Sequence, residues 1–374
     1  MESQPARRRL AVPRADEQGR QGMTTIDTAE EARLYQDFDA NSLIPLWTIR
    51  EGLMPAVPTP AAVPHIWHWT DLYPLAQRAG ELVPVGRGGE RRAIAVANPG
   101  LAPHPYATPT LWAAIQYLGP GETAPAHRHS QNAFRFVLEG EGVWTVVDGD
   151  PVAMRRGDLL ITAGWQFHGH HNPNDAPMAW LDGLDVPFCA SINAEFFEFG
   201  ADDVEDRATP RFSRSERLWG HPGLVPVSAA EELPPYSPLA AYRWEDTDAA
   251  LRAQLELEAE GHLGVVTPGH AAIRFSHPGT GSDALPTIRL EMHRIAPGTA
   301  TLAVREAGSS VWQVFDGAGA VTLDGEHREL VHGDVIAVPS WCEHTFSASS
   351  ELTLFRMSDQ PIFERLHLNR RVAR

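Results

Sequence analysis

The chain repeats itself. "TLWAAIQYLGPGETAPAHRH", beginning at Thr110, aligns with "TIRLEMHRIAPGTATLAVRE", beginning at Thr287, at a constant shift of 177 residues. The register continues through "FVLEGEGVWTVVDG" and "QVFDGAGAVTLDG", where the second copy drops one residue before an Asp-Gly turn. At the resulting shift of 176, "RRGDLLITAGWQFHGHHN" matches "VHGDVIAVPSWCEHTFSA". Gly157-Asp158 then falls on Gly333-Asp334, Trp165 on Trp341 and His168 on His344. A register held through so many turn glycines marks a duplicated unit. Short β-rich runs punctuated by Gly and Pro turns mark each unit as a barrel or sandwich. Asp148-Gly149 and Asp324-Gly325 place a hairpin turn at the same point of both copies.

Around the repeat, the sequence divides as follows. Residues 1–24 are polar, Arg-rich and aperiodic, and are expected to form a disordered tail. Residues 25–43 show a helical pattern with Asp27 or Thr28 as N-cap. The spaced prolines of "PLWTIREGLMPAVPTPAAVPHIWHW" forbid a long helix and suggest an extended arm over the core. The expected domains are arm plus first barrel at 25–195, a connector at 196–270 and a second barrel at 271–374. A length of 374 residues, 43% hydrophobic and 21% charged, suits two soluble globular domains. No apolar run reaches the eighteen residues of a spanning helix, and no apolar segment follows Arg7, Arg8 and Arg9 to make a secretory signal. Two cysteines, Cys189 and Cys342, argue against a disulfide framework and point to a cytoplasmic protein. A net charge of −17 argues against nucleic acid as a partner and leaves a small anionic substrate open.

His127 and His129 stand two apart in a strand-forming run, so both imidazoles point to one face. His168, beyond a hairpin, completes a three-nitrogen metal site if its strand lies beside theirs. In the second copy these positions hold Val304, Glu306 and His344. One carboxylate and one imidazole make a weak site, so the second barrel is expected to be metal-free, with Glu306 and His344 as a hydrogen-bonded remnant.

The spacing Gly121-x5-His127-x-His129, then Gly140, then Gly157-x5-Ala163-x-Trp165-x2-His168-x3-Asn172 resembles the two motifs of cupins. The resemblance implies a mainly β fold, a double-stranded β-helix in which two jelly-roll barrels form a bicupin, preceded by the helical and extended arm. Two departures narrow it. Ala133 and Phe134 stand where cupins usually place a fourth ligand, a glutamate, and Ala163-Gly164-Trp165 replaces the Pro-x-Gly of the second motif. That combination resembles the bicupin ring-cleaving dioxygenases of the gentisate 1,2-dioxygenase group.

Alternation puts Trp112, Ala114 and Gln116 on one face of their strand, where the second copy has Arg289, Glu291 and His293. The resemblance places Trp112, Ala114 and Gln116 in the substrate pocket. Arg135 lies between two phenylalanines, and a buried guanidinium needs a partner. Its parity with the histidines aims it at the pocket, and the resemblance gives it the substrate's carboxylate, in a bidentate pair. Arg91 matches another arginine of the group, with Arg92 beside it as the alternative. His170 shares a face with His168 and suits proton exchange with a ring hydroxyl. Asp182 matches the residue that orients or charges that histidine. His171 and Asp185 read as structural or surface residues.

The resemblance implies Fe(2+), an aromatic hydroxy acid and O2 as cofactor and substrates, and a homotetramer. The expected reaction cleaves gentisate between its carboxyl- and hydroxyl-bearing carbons to give maleylpyruvate. The alternatives are the same cleavage of salicylate or 1-hydroxy-2-naphthoate, and a non-redox metal-binding cupin of binding or isomerase type. The missing glutamate and the incomplete second histidine pair disfavour oxalate decarboxylation.

Overall fold

The computed structural model describes residues 28–49, 53–83, 85, 92–200, 210–229 and 232–374. The expected tail and Arg91 lie outside the described residues. The chain divides into two compact units, Met1–Ala56 and Val57–Arg374. In the first, helix α1 (Thr28–Ala40) opens with Glu30 and Glu31 in its first turn, where the helix dipole favours acids, and buries no side chain. Phe38 meets Tyr35 and Trp47 edge-on, and the Trp47 indole donates to the Tyr35 hydroxyl at 3.1 Å.

The larger unit begins with β1 (His65–Trp67) and α2 (Trp69–Leu82). The first barrel follows as β2 (Ala93–Ala95), β3 (Trp112–Leu118), β4 (Thr123–His129), β5 (Ala133–Glu139), β6 (Glu141–Val147) and β7 (Asp150–Arg155). It continues with β8 (Leu159–Thr162), β9 (His168–His171), β10 (Met178–Leu184), α3 (Val186–Ser191) and β11 (Phe197–Phe199). After α4 (Arg214–Trp219), β12 (Ala241–Tyr242) and α5 (Trp244–Ala259) open the second copy. Its barrel comprises β13 (His270–Arg274), β14 (Arg289–Ile295), β15 (Val304–Glu306), β16 (Ser310–Asp316), β17 (Gly319–Leu323) and β18 (Glu326–Leu330). The last elements are β19 (Val335–Val338), β20 (His344–Ala348), β21 (Leu352–Ser358), α6 (Gln360–Arg365) and β22 (Arg371–Ala373).

Sheet order shows a longer repeat than the sequence did. The first barrel pairs β12-β8-β5-β10-β3-β2 with β11-β4-β9-β6-β7, and the second has β1-β19-β16-β21-β14-β13 with β22-β15-β20-β17-β18, strand for strand the same. The segment read as a connector, 196–270, therefore holds β11, which closes the first barrel against β4, and β12–α5, the counterpart of β1–α2. Each strand–helix arm joins the barrel it does not precede. β1 pairs with β19 of the second barrel, and β12 with β8 of the first.

The duplicated Gly-Asp turns receive these arms. Asp334 accepts from the Trp69 backbone N–H at 2.9 Å, and Asp158 from that of Trp244 at 3.0 Å. Asp334 also meets His68, while Asp158 accepts from Arg243 at 2.5 Å. Gly157 and Gly333 both hold φ at +86°, and a Cβ on either would meet the indole of Trp244 at 2.7 Å or of Trp69 at 2.1 Å. Glycine is required there twice over, by backbone and by space.

Between the barrels the six-stranded sheets pack face to face. Phe134, Phe136 and Leu138 of β5 join Phe315, Phe355 and Met357 in one buried cluster, with the rings of Phe136 and Phe355 stacked 4.2 Å apart. Full burial of each such side chain contributes about 1.5–3 kcal/mol. Strand alternation then turns Arg135 and Val137 the other way, into the first barrel. The two phenylalanines flanking Arg135 serve the interface between barrels, and the arginine serves the interior. No described helix is long and apolar enough to cross a membrane.

Candidate metal centre

β4 and β9 are neighbours, and His127 lies directly opposite His168. Donor nitrogens of His127, His129 and His168 all fall within 4.8 Å of one another. The backbone sets which nitrogens these are. Nδ1 of His127 meets the Pro125 carbonyl at 3.0 Å, that of His129 the Gln131 carbonyl at 2.9 Å, and that of His168 the Gln166 carbonyl at 2.9 Å. A carbonyl only accepts, so each Nδ1 carries the proton and each Nε2 presents its lone pair. Nε2 of His168 is buried without a hydrogen-bond partner among the described residues. Burial, then Arg135, then the other two imidazoles hold the His168 pKa well below its ordinary range, which keeps it neutral. Three preoriented imidazole nitrogens fit a divalent transition metal.

β5, β10 and β3 form the facing wall. Arg135, Asp182 and Ala114 stand opposite one another across these strands, so their side chains share the interior face. Gln116 lies opposite Trp180 and Trp112 opposite Leu184, on the same face again. Ala114 is buried, whereas Trp112 and Gln116 are partly exposed. His170 lies opposite Ala124 on one side and Thr145 on the other, and is buried.

Arg135 links these groups. Its Nε donates to His170 Nε2 at 3.1 Å and its Nη1 donates to the Thr162 hydroxyl at 2.6 Å. Because a guanidinium only donates, His170 Nε2 must accept, and the His170 proton lies on Nδ1. His170 is thus arranged as a hydrogen-bond donor with its basic nitrogen engaged. Burial, then Arg135, then His127 keep its pKa well below the ordinary value. Asp182 meets Arg135 at 3.6 Å and accepts from the Trp180 indole at 3.0 Å. Asp182 therefore bears on His170 through its ion pair with Arg135, which in turn donates to the imidazole. The single Nε–H is committed to His170 and one Nη1–H to Thr162, so a bidentate pairing through Nε and Nη2 is closed and one through Nη1 and Nη2 competes with Thr162.

Arg92 is engaged elsewhere. It forms an ion pair with Glu122 and donates to the carbonyls of Val83 and Tyr117, both at 3.0 Å. His171 points away from the centre and its Nδ1 meets the Thr123 hydroxyl at 2.8 Å. Asp185 is buried and accepts from the Asn132 backbone at 2.9 Å and from Thr287 of the second barrel. Sequence reasoning missed Thr162, Trp180 and Phe197. Phe197 of β11 stacks on His127 with ring centres 5.3 Å apart. Alternation along "LLIT" and "MAWLD" was the signal that could have found the first two.

The second barrel fills the corresponding space with ion pairs. Arg356 occupies the place of Asp182, opposite Glu291 as Asp182 is opposite Ala114. It pairs with Glu291 at 2.6 Å and with Glu306. Glu306 is thus held by an arginine, and Nδ1 of His344 meets the Cys342 carbonyl at 3.3 Å. The expected Glu306–His344 hydrogen bond does not form, because the guanidinium is the stronger partner. His293 pairs with His270 at 3.0 Å, and Arg289 with Asp283 at 2.8 Å and Glu364 at 2.7 Å.

Comparison with known proteins agrees with this architecture. The Cupin domain family matches residues 114–184 and 291–355, once in each barrel. A gentisate 1,2-dioxygenase from Streptomyces sp is 62% identical over 337 residues, covering 90% of this chain and 94% of its own. A 1-hydroxy-2-naphthoate 1,2-dioxygenase from Nocardioides sp. (strain KP7) is 33% identical, covering 91% of this chain and 88% of its own. The crystal structure of salicylate 1,2-dioxygenase from Pseudoaminobacter salicylatoxidans as adducts with gentisate matches with a TM-score of 0.90 at 58% identity. It covers 94% of this chain and 96% of that one.

Proposed function

The chain belongs to the gentisate 1,2-dioxygenase family of two-barrel cupins and is a ring-cleaving dioxygenase, and from that premise we propose that it opens gentisate with Fe(II) held by His127, His129 and His168. The observation that carries this reading is the trio of imidazoles with Nδ1 locked by backbone carbonyls, facing a buried arginine and joined by no carboxylate among the described residues. Neutral ligands leave the ion's charge uncompensated, which favours a substrate bringing adjacent carboxylate and phenolate oxygens. Fe(II) bound there supplies the redox chemistry that dioxygen insertion requires. The bond between C1 and C2 of the ring breaks, both oxygen atoms enter, and the product is maleylpyruvate.

The protein's own groups bind and orient. Arg135 offers its remaining nitrogen, Nη2, to the substrate carboxylate as a charge-assisted hydrogen bond. His170, as an Nδ1–H donor, polarises the ring hydroxyl, and Asp182 acts on it by holding Arg135. Trp112 forms an aromatic wall, Gln116 contributes an amide, and Ala114 leaves room for a flat ring with a second hydroxyl. Arg91 remains the choice for a further carboxylate contact, since Arg92 is engaged with Glu122. The second barrel is read as structural and metal-free, its Arg356 guanidinium standing between the two carboxylates that face the interior. The two cysteines suit a cytoplasmic protein, and the family resemblance implies a homotetramer, an assembly that light scattering on the purified protein will test.

The first experiment loads the protein with Fe(II) anaerobically, adds gentisate, admits air, and records oxygen uptake beside the absorbance of the ring-opened product. Salicylate and 1-hydroxy-2-naphthoate run in parallel, because the relatives acting on them give that second reading its support. Uptake with gentisate is the expected result. Uptake with the monohydroxylated acids alone moves the substrate and keeps the ring cleavage. No uptake with any acid despite bound iron overturns the reading and favours a non-redox cupin.

A further inference from the structure

Thr162 is a polar residue ending the apolar strand β8, fully buried. Leu159 and Ile161 turn outward into the cluster between the barrels, so Leu160 and Thr162 face the interior. Thr162 stands opposite Ala133 and Leu160 opposite Arg135, which places the hydroxyl one interior position along from the guanidinium. The hydroxyl accepts from Arg135 Nη1 at 2.6 Å while Nε is held by His170.

The repeat supplies an internal control. Val338 of β19 lies opposite Ser310 as Thr162 lies opposite Ala133, and Trp312 takes the place of Arg135. Where the arginine is absent, the hydroxyl is absent too, and a valine of nearly the same shape fills the position. Packing alone therefore does not require threonine there.

We propose that Thr162 is a positioning residue that confines Arg135 to a single pocket-facing nitrogen, so that an aromatic hydroxy acid keeps its second carboxylate oxygen for the metal ion. This rests on the ring-cleavage reading above. Arginine pairs most strongly with a carboxylate through two parallel N–H donors, which engages both oxygens. A substrate held that way competes with its own chelation. With the single Nε–H on His170, the grip through Nε and Nη2 is blocked, and the Thr162 hydroxyl competes for Nη1 in the grip through the two terminal nitrogens. Nη2 therefore holds the carboxylate and shares it with the ion.

The test compares full-length wild type with Thr162→Val and Thr162→Ser. Gentisate affinity is measured by calorimetry on metal-free protein, and kcat and KM on Fe(II)-loaded protein. In Thr162→Val the freed Nη1 lets arginine grip both oxygens. Binding to the metal-free protein should tighten while kcat falls, each by roughly tenfold, the effect of one charge-assisted hydrogen bond changing partner. KM should not rise. Thr162→Ser should restore wild-type values. Wild-type kcat in Thr162→Val overturns the proposal, as does a raised KM with unchanged kcat, which would make Thr162 a simple contributor to binding. If Thr162→Val fails to fold, Thr162→Ala carries the same comparison. A wild type that neither binds nor cleaves any aromatic hydroxy acid overturns the ring-cleavage reading instead, and that result is distinct from any effect at Thr162.

Discussion

Asp182 lies inside the first barrel, where burial pushes its pKa up to about 6 against the pull of Arg135 and the Trp180 indole. A carboxyl whose folded pKa lies above its unfolded value of about 4 binds its proton more tightly in the folded chain. Its burial therefore costs stability that grows as pH rises from about 4 to about 6, and the cost is complete above that window. Over the same range the Arg135–Asp182 ion pair comes into being. kcat/KM for gentisate should accordingly fall on the acid side of about pH 6, and Asp182→Asn should remove that limb while lowering the plateau. An unchanged acid limb in the Asn variant would assign the titration to another group. His168 makes a second residue-scale test, because a three-ligand site has no redundancy. His168→Ala should cost more metal affinity than the roughly 10–100-fold that loss of a supporting hydrogen bond costs, and leave the purified variant nearly free of iron. His171→Ala, a few residues away but bonded to Thr123, should leave iron content unchanged. Elemental analysis of the purified variants reads both.

Elements explain which parts of this arrangement were legible in the sequence. The ligand trio was readable because i, i+2 spacing on one strand and a matched motif on the next need only local alternation and one pairing. Arg135 was readable for the same reason. What escaped was set by partners far along the chain. β1 and β12 span only a few residues, too short for alternation to speak, and each finds its neighbour in the opposite copy. Nor does sequence spacing reveal that Arg135, rather than solvent or substrate, engages His170 and Asp182. The duplicated Gly-Asp turns were visible as a repeat, though their use as docking points for the arms was not. That use can be measured by comparing two glycines of similar φ. Gly325 holds φ at +89° with nothing near its would-be Cβ, whereas Gly333 at +86° lies against Trp69. Gly325→Ala should cost only the backbone strain, about 1–2 kcal/mol, and Gly333→Ala should cost more by a further 1–3 kcal/mol of overpacking. Chemical denaturation of the two variants decides it, and equal midpoints would mean that the indole moves aside freely.

At the scale of the molecule, the exchanged arms and the shared core make the barrels depend on one another. Trp69 precedes the first barrel in sequence but packs on the second, with its ring stacked 5.0 Å from Tyr73 and its backbone bound to Asp334. Trp244 and Arg243 do the reverse on Asp158, and Arg243 also holds Glu216 of α4 at 2.6 Å. The stacked rings of Phe136 and Phe355 span the same boundary. If either barrel opened alone, it would strip the other of an edge strand, a helix and half of a common apolar face. The larger unit should therefore unfold in one transition despite its two barrels, with a calorimetric enthalpy close to the van't Hoff value. Trp69→Ala removes a buried aromatic side chain and should cost about 3–5 kcal/mol. The loss should appear as a shift of that single transition, and release of iron from the first barrel should follow the same curve, although Trp69 packs on the second. Two separated transitions, with iron leaving in only one of them, would mean that the exchanged arms join two independently stable domains.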